Sequence, residues 1–302
     1  MTILAGIDEA GYGPRLGPLV SGAAAFRCPE ADGAAPDLWE LLSAAVCRPG
    51  RGAAGRLAVG DSKKLYARGS GLARLECAVL GFLSTGGEVP SSPGELVDRL
   101  LSERCRQSLD DHPWYADRGE HLPLDADAAV AAERSGALAD VCSRQGVEMV
   151  QLAGRLLAEG EFNRRVEVLD NKASVLISLV IDLLRELRRA AGEEPLNISV
   201  DRMGGRTDYV PVLSAAFPHG FVWEQEKTAR RQCYRVDGLE GPTTVEFLVK
   251  ADACRFPVAL ASMTSKYLRE VFMRRFNAYW QELDPQVPTT SGYHADAESF
   301  LQ

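Results

Sequence analysis

The first twenty residues, MTILAGIDEAGYGPRLGPLV, constrain the fold more than any other stretch of this chain. The apolar run Ile3 to Ile7 reads as a short buried strand. It delivers two adjacent carboxylates, Asp8 and Glu9, into the turn Gly11-Tyr12-Gly13-Pro14. A second apolar run, Leu19 to Phe26, follows Gly17 and Pro18, so the unit reads as strand, turn, strand. Side chains alternate along a strand, which sends Asp8 and Glu9 to opposite faces. They can serve one site only where the strand bends or ends, and the glycines permit that. Carboxylates buried at a strand end need a cation, and oxygen-only ligands favour magnesium, calcium or manganese. The competing reading is a solvated acidic turn. A dinucleotide-binding loop is rejected: the spacing is G-x-G-x-x-x-G, two prolines interrupt it, and a strand rather than a helix follows.

Charge limits what such a site can be. The chain has 302 residues, enough for one large domain or two ordinary ones, with a formal net charge of -8. That argues against a strongly basic nucleic-acid clamp, but not against a nuclease whose metal ions supply the positive charge. The seven cysteines are scattered and contain no C-x-x-C pair, which argues against a disulfide frame or a zinc site. With no apolar signal core and no run of membrane-spanning length, the expected location is the cytoplasm.

Further along, the Ala-, Gly- and Pro-rich stretch Cys28 to Arg56 offers one short helix, Asp37 to Val46. Gly60-Asp61-Ser62-Lys63-Lys64-Leu65 precedes a helix over Leu72 to Leu83; alone it reads as a helix cap with two solvated lysines. Periodicity is then lost, and residues 86–145 read as a helical insertion in which His112 and His121 are solvated surface histidines. Val147 to Glu159 reads as a strand, and Asp170-Asn171-Lys172 caps an amphipathic helix, Ala173 to Arg189. Leu196 to Val200 is a strand that ends on Asp201, again with glycines beyond. Strands are expected in Phe221 to Tyr234 and Thr243 to Val249. Lys250-Ala251-Asp252 then opens a long helix that sets Ala259, Ser262, Met263 and Lys266 on one face. Ser291-Gly292-Tyr293 precedes a tail helix, Ala295 to Leu301.

Taken in order, GIDEAGYGPRLGP, DSKKL, the acid Asp201, KADA with its Ser262, Lys266 and Arg269-Glu270, and the final Gly292-Tyr293 resemble the type 2 ribonuclease H family. The resemblance covers a little over half the chain. It implies an α/β, ribonuclease H-like fold: a central mixed sheet of about five strands flanked by helices, one catalytic domain over 1–302, and a mostly helical insertion at 86–145. It also implies a monomeric endoribonuclease that cuts the RNA strand of RNA–DNA hybrids, or of ribonucleotide-containing duplexes, leaving 5′-phosphate and 3′-hydroxyl ends. Asp8, Glu9, Asp201 and Asp252 would hold two divalent ions, magnesium or manganese, and carry the catalysis. Gly11, Tyr12, Gly13, Arg15, Ser62, Lys63, Lys64, Ser262, Lys266 and Tyr293 would bind substrate. Tyr12 departs from the family pattern G-[RK]-G, and Arg15 is the candidate replacement for the missing charge. The surroundings of Asp201, D-R-M-G-G-R, and inserts after Phe26, Ser84 and Arg206 mark a divergent branch. The alternatives are a nuclease of the same fold acting on structured DNA, and a non-catalytic nucleic-acid-binding module.

Overall fold

In the computed structural model the opening apolar run forms β1 (Thr2–Glu9), and the second forms β2 (Leu19–Cys28). All residues are described except 12, 31–34, 51–54, 67–70 and 86. Five further strands complete the main sheet: β3 (Glu148–Leu157), β4 (Leu196–Asp201), β5 (Phe221–Lys227), β6 (Arg231–Asp237) and β7 (Thr243–Leu248). Their order is β3-β2-β1-β4-β7-β6-β5. The first three strands run antiparallel, whereas β1, β4 and β7 are mutually parallel. Three carboxyl ends therefore meet side by side at one end of the sheet, and each leads into an acidic residue.

Helices cover both faces, as the near-continuous burial of β1 and β2 requires. On one face lies α3 (Lys172–Ala191), its apolar stripe Leu176, Val180, Leu183 and Leu187 packed on Ile3, Ala5 and Ile7. On the other lies α4 (Phe256–Leu283), whose Phe256, Leu260 and Met263 share a core with Val20, Ala24 and Phe26. This helix presses close: a Cβ at Gly6 would lie 2.2 Å from the Val258 backbone nitrogen, so glycine is required there. Phe26 and Phe256 meet edge to face at 5.6 Å, and Phe82 of α1 (Ala73–Ser84) completes the cluster. Each such buried ring stabilises the fold by about 2–3 kcal/mol.

Residues 86–145 contain helices Pro93–Leu100, Glu103–Asp110 and α2 (Ala128–Gln145), with a 3-10 turn at Pro113–Tyr115. Leu96, Leu100 and Leu138 enter the same core as Phe26 and Phe256. Glu76 of α1 pins this region from within. Its fully buried carboxylate accepts the amides of Leu124, Asp125 and Ala126 at 2.5–2.8 Å and the Tyr267 hydroxyl at 2.8 Å.

Three expectations need correction. The sheet has seven strands rather than about five, because Phe221 to Tyr234 folds back as a hairpin whose turn closes from Thr228 N–H to Arg231 C=O. The helix expected over Asp37 to Val46 spans only Leu38–Leu41, since Val46–Cys47 pairs with Leu57–Ala58. His112 is not fully solvated: it lies half-buried with Nδ1 3.0 Å from the Ser108 carbonyl oxygen.

Candidate active site

Register brings the acids together. Ile7 of β1 lies opposite Val200 of β4, so Asp8 and Asp201 follow side by side at neighbouring strand ends. Beyond β7 the chain turns at Lys250, which adopts a left-handed backbone (φ 58°). The turn points the Ala251 amide at Asp201, which accepts it on Oδ1 at 2.7 Å, and Asp252 comes next. Asp8 is buried and accepts the Glu9 amide at 2.9 Å and the Ser262 hydroxyl, while Glu9, Asp201 and Asp252 are half-buried.

The carboxylates repel one another. Burial, then Glu9 and Asp201, push the Asp8 carboxyl well above its usual range. Burial and Asp201 push Glu9 up to about 7. Asp201 is raised by burial and by Asp252; Asp252 is raised by burial and by Asp61. Lys63 opposes the rise at Glu9, Asp201 and Asp252. Asp61 is a fifth acid that sequence reading treated only as part of a helix cap, and it does cap, accepting the Lys63 amide at 3.0 Å. Such an oxygen-only, electron-rich set fits a hard divalent cation in its chemistry. In their present rotamers, however, no three His, Cys, Asp or Glu side chains among the described residues converge closely enough to hold one ion. Asp8 and Asp201 each turn an oxygen onto a backbone amide instead.

The helix Ser62–Leu65 docks on α4 through a buried Ser62–Ser262 hydroxyl pair at 3.1 Å. That contact connects the DSKK segment through Ser262 to Asp8. Of the expected phosphate-binding lysines, Lys63 acts on three of the acids. Lys64 pairs with Asp61 at 3.8 Å, and Lys266 is held by Glu270 with its ammonium 4.6 Å from the Tyr66 ring centre.

The glycine loop and the C-terminal tyrosine form a second group beside the acids. Gly11 has φ +77°, and a Cβ there would lie 2.5 Å from the Tyr293 hydroxyl. That hydroxyl donates to the Ala10 carbonyl, and the phenol also experiences the charge of Glu9. Fully buried Arg269 binds the two segments together: it donates to the Ser291 carbonyl at 2.9 Å and the Leu16 carbonyl at 3.1 Å, and its guanidinium lies over the Tyr293 ring. Glu159 supports the same loop, accepting the Gly17 amide at 3.1 Å and the Tyr115 hydroxyl at 2.9 Å. Arg15 points to Glu298 at 2.8 Å. Tyr12 lies outside the described residues. Sequence reading missed the roles of Arg269 and Glu159: Arg269 stood only as half of a matching Arg-Glu pair, and nothing local marked Glu159.

No protein-family model matches the sequence, and no curated protein matches it. Among solved structures the chain is similar to the ribonuclease H2 of Pyrococcus horikoshii OT3, at 18% identity and a TM-score of 0.38, covering 97% of this chain and 82% of that one. A likeness that loose carries no argument about chemistry. Among the described residues, no helix is long and apolar enough to cross a membrane.

Proposed function

We propose that this protein is a divalent-metal-dependent endoribonuclease that hydrolyses the RNA strand of RNA–DNA hybrids, with 1–302 as one catalytic domain and 86–145 as its helical insertion. The supporting observation is the convergence of Asp8, Glu9, Asp201 and Asp252 from three chain segments into one mutually repelling group. A carboxylate cluster without a cation is a standing cost to stability, which a catalytic role explains. With two magnesium or manganese ions bound, the site gains an activated water and stabilisation of the leaving 3′ oxygen. The protein's own groups have separate tasks in this reading. Ser262 fixes the Asp8 carboxyl, and the Ala251 amide fixes Asp201. Lys63 neutralises a substrate phosphate beside the acids. The backbone at Gly11 and the Tyr293 ring meet the ribose, whose 2′-hydroxyl distinguishes RNA from DNA.

The test is cleavage of three end-labelled duplexes, carrying no ribonucleotide, one, or a run of several, with magnesium or manganese. Wild type should cut the ribonucleotide-bearing duplexes on the 5′ side of a phosphate, and Asp8→Asn should cut none. Cutting of all-DNA branched substrates alone would favour the structured-DNA reading. Binding without cutting would favour the non-catalytic one.

A further inference from the structure

We infer that Lys172 supplies the phosphate contact that the glycine loop lacks. This inference rests on the nuclease reading above and adds a substrate-binding residue to it. Tyr12, which stands where the family pattern has an arginine or lysine, can donate one hydrogen bond but cannot neutralise a phosphate. The cation must come from elsewhere.

Most nearby cations are already committed. Arg15 lies 2.8 Å from Glu298, Lys64 pairs with Asp61, Lys266 with Glu270, and Arg269 is buried beneath the loop. Lys172 forms no ion pair among the described residues and is exposed. It is the first residue of α3, and its stem runs past the loop: its Cδ lies 3.5 Å from the position a Cβ would take at Gly13. The side chain of a larger residue at 13 would stand between the lysine stem and the loop backbone. Lys172 also lines a cleft of about 200 Å³ with Pro14, Arg15, Gly17 and Asn163. Glu159 lines the cleft as well, with one oxygen occupied by the Gly17 amide and the Tyr115 hydroxyl. The cleft thus offers the Asn163 amide and an ammonium that forms no ion pair among the described residues, beside the backbone of the loop, with the second Glu159 oxygen, which has no hydrogen-bond partner among them, in the same wall. A nucleic-acid strand crossing Gly11 to Gly13 would bring a phosphate within reach of the flexible lysine.

The contact is non-specific and electrostatic, so its signature is salt dependence rather than base preference. The experiment measures binding of a labelled single-ribonucleotide duplex by fluorescence anisotropy across a salt series. All proteins carry Asp8→Asn, which prevents cutting, and thermal melts confirm folding. Lys172→Ala should weaken binding by about three- to tenfold and flatten the slope of log affinity against log salt by about 0.9. Lys172→Arg should restore both. Arg164→Ala, which removes an exposed arginine paired to Glu161, should change neither. An unchanged slope for Lys172→Ala, or a slope change that follows Arg15→Ala instead, overturns the assignment. If the unmodified protein cuts the duplex while Lys172→Ala keeps its slope, only the role of Lys172 fails. If it neither binds nor cuts this duplex or one carrying a run of ribonucleotides, the nuclease reading fails with it.

Discussion

Replacing Glu9 by glutamine should stabilise the ion-free protein above neutral pH by an amount set by the electrostatics of the acid cluster. Glu9 titrates at about 7 instead of the ordinary 4.5, because burial and the neighbouring Asp201 disfavour its charge. The folded state therefore holds this proton more tightly than the unfolded chain does. The stability carried by the proton is fully present below pH 4.5 and is lost as pH rises through 7. At about 1.4 kcal/mol per pH unit over the roughly 2.5 units between 4.5 and 7, the loss approaches about 3.5 kcal/mol by pH 8. Glu9 keeps some contact with water and shares its titration with Asp8 and Asp201, so about 2 kcal/mol is the effect to look for. Glutamine has the same shape and never ionises. Urea unfolding of wild type and Glu9→Gln in chelator, from pH 5 to pH 8, measures the difference directly. The two proteins should be nearly equal at pH 5, and the variant should lead by about 2 kcal/mol at pH 8, or roughly 3 °C in melting temperature. Added magnesium or manganese should narrow the gap by stabilising wild type more than the variant. Parallel pH curves would refute the argument, because Glu9 would then be no less stable charged than neutral.

The glycine loop and the buried Glu76 give two further tests. Gly11→Ala forces a side chain into a left-handed backbone, with its Cβ 2.5 Å from the Tyr293 hydroxyl. It should cost about 1–3 kcal/mol and reduce cutting at a lone ribonucleotide more than cutting within an RNA tract. Full stability together with an unchanged preference would dissociate Tyr293 from ribose recognition. Glu76→Gln replaces one carboxylate oxygen with an NH2 group facing backbone amides, so urea unfolding should register a loss of about 2–4 kcal/mol. Hydrogen exchange at residues 124–126 should quicken in the same variant. A loss under about 1 kcal/mol would mean that residues 86–145 are held elsewhere.

What could be read from the sequence divides by distance along the chain. The strands ending at Glu9 and Asp201 were legible because an apolar run stops at an acid. The helix α3 was legible because its leucines and valines keep the helical period over five turns. The hairpin was only half legible: its turn, Thr228-Ala229-Arg230, contains none of the glycine, proline or asparagine that usually marks a reversal. The roles of Glu159 and Arg269 were not legible at all, since each acts on a loop residue 142 or 253 positions away. The same division separates the chemistry from its support. Local motifs specify the acids, whose charge requires neutralisation whatever surrounds them. Only the folded chain shows which cations are left to meet a polyanion. On a protein of net charge -8, that distinction matters more than the number of lysines. A lysine beside a carboxylate has part of its charge neutralised, so it gains less from a phosphate than an unpaired one does. Lys63 beside the acids and Lys172 beside Gly13 have no single committed partner among the described residues, so substrate affinity should depend on them more than on Lys64, Lys266 or Arg15.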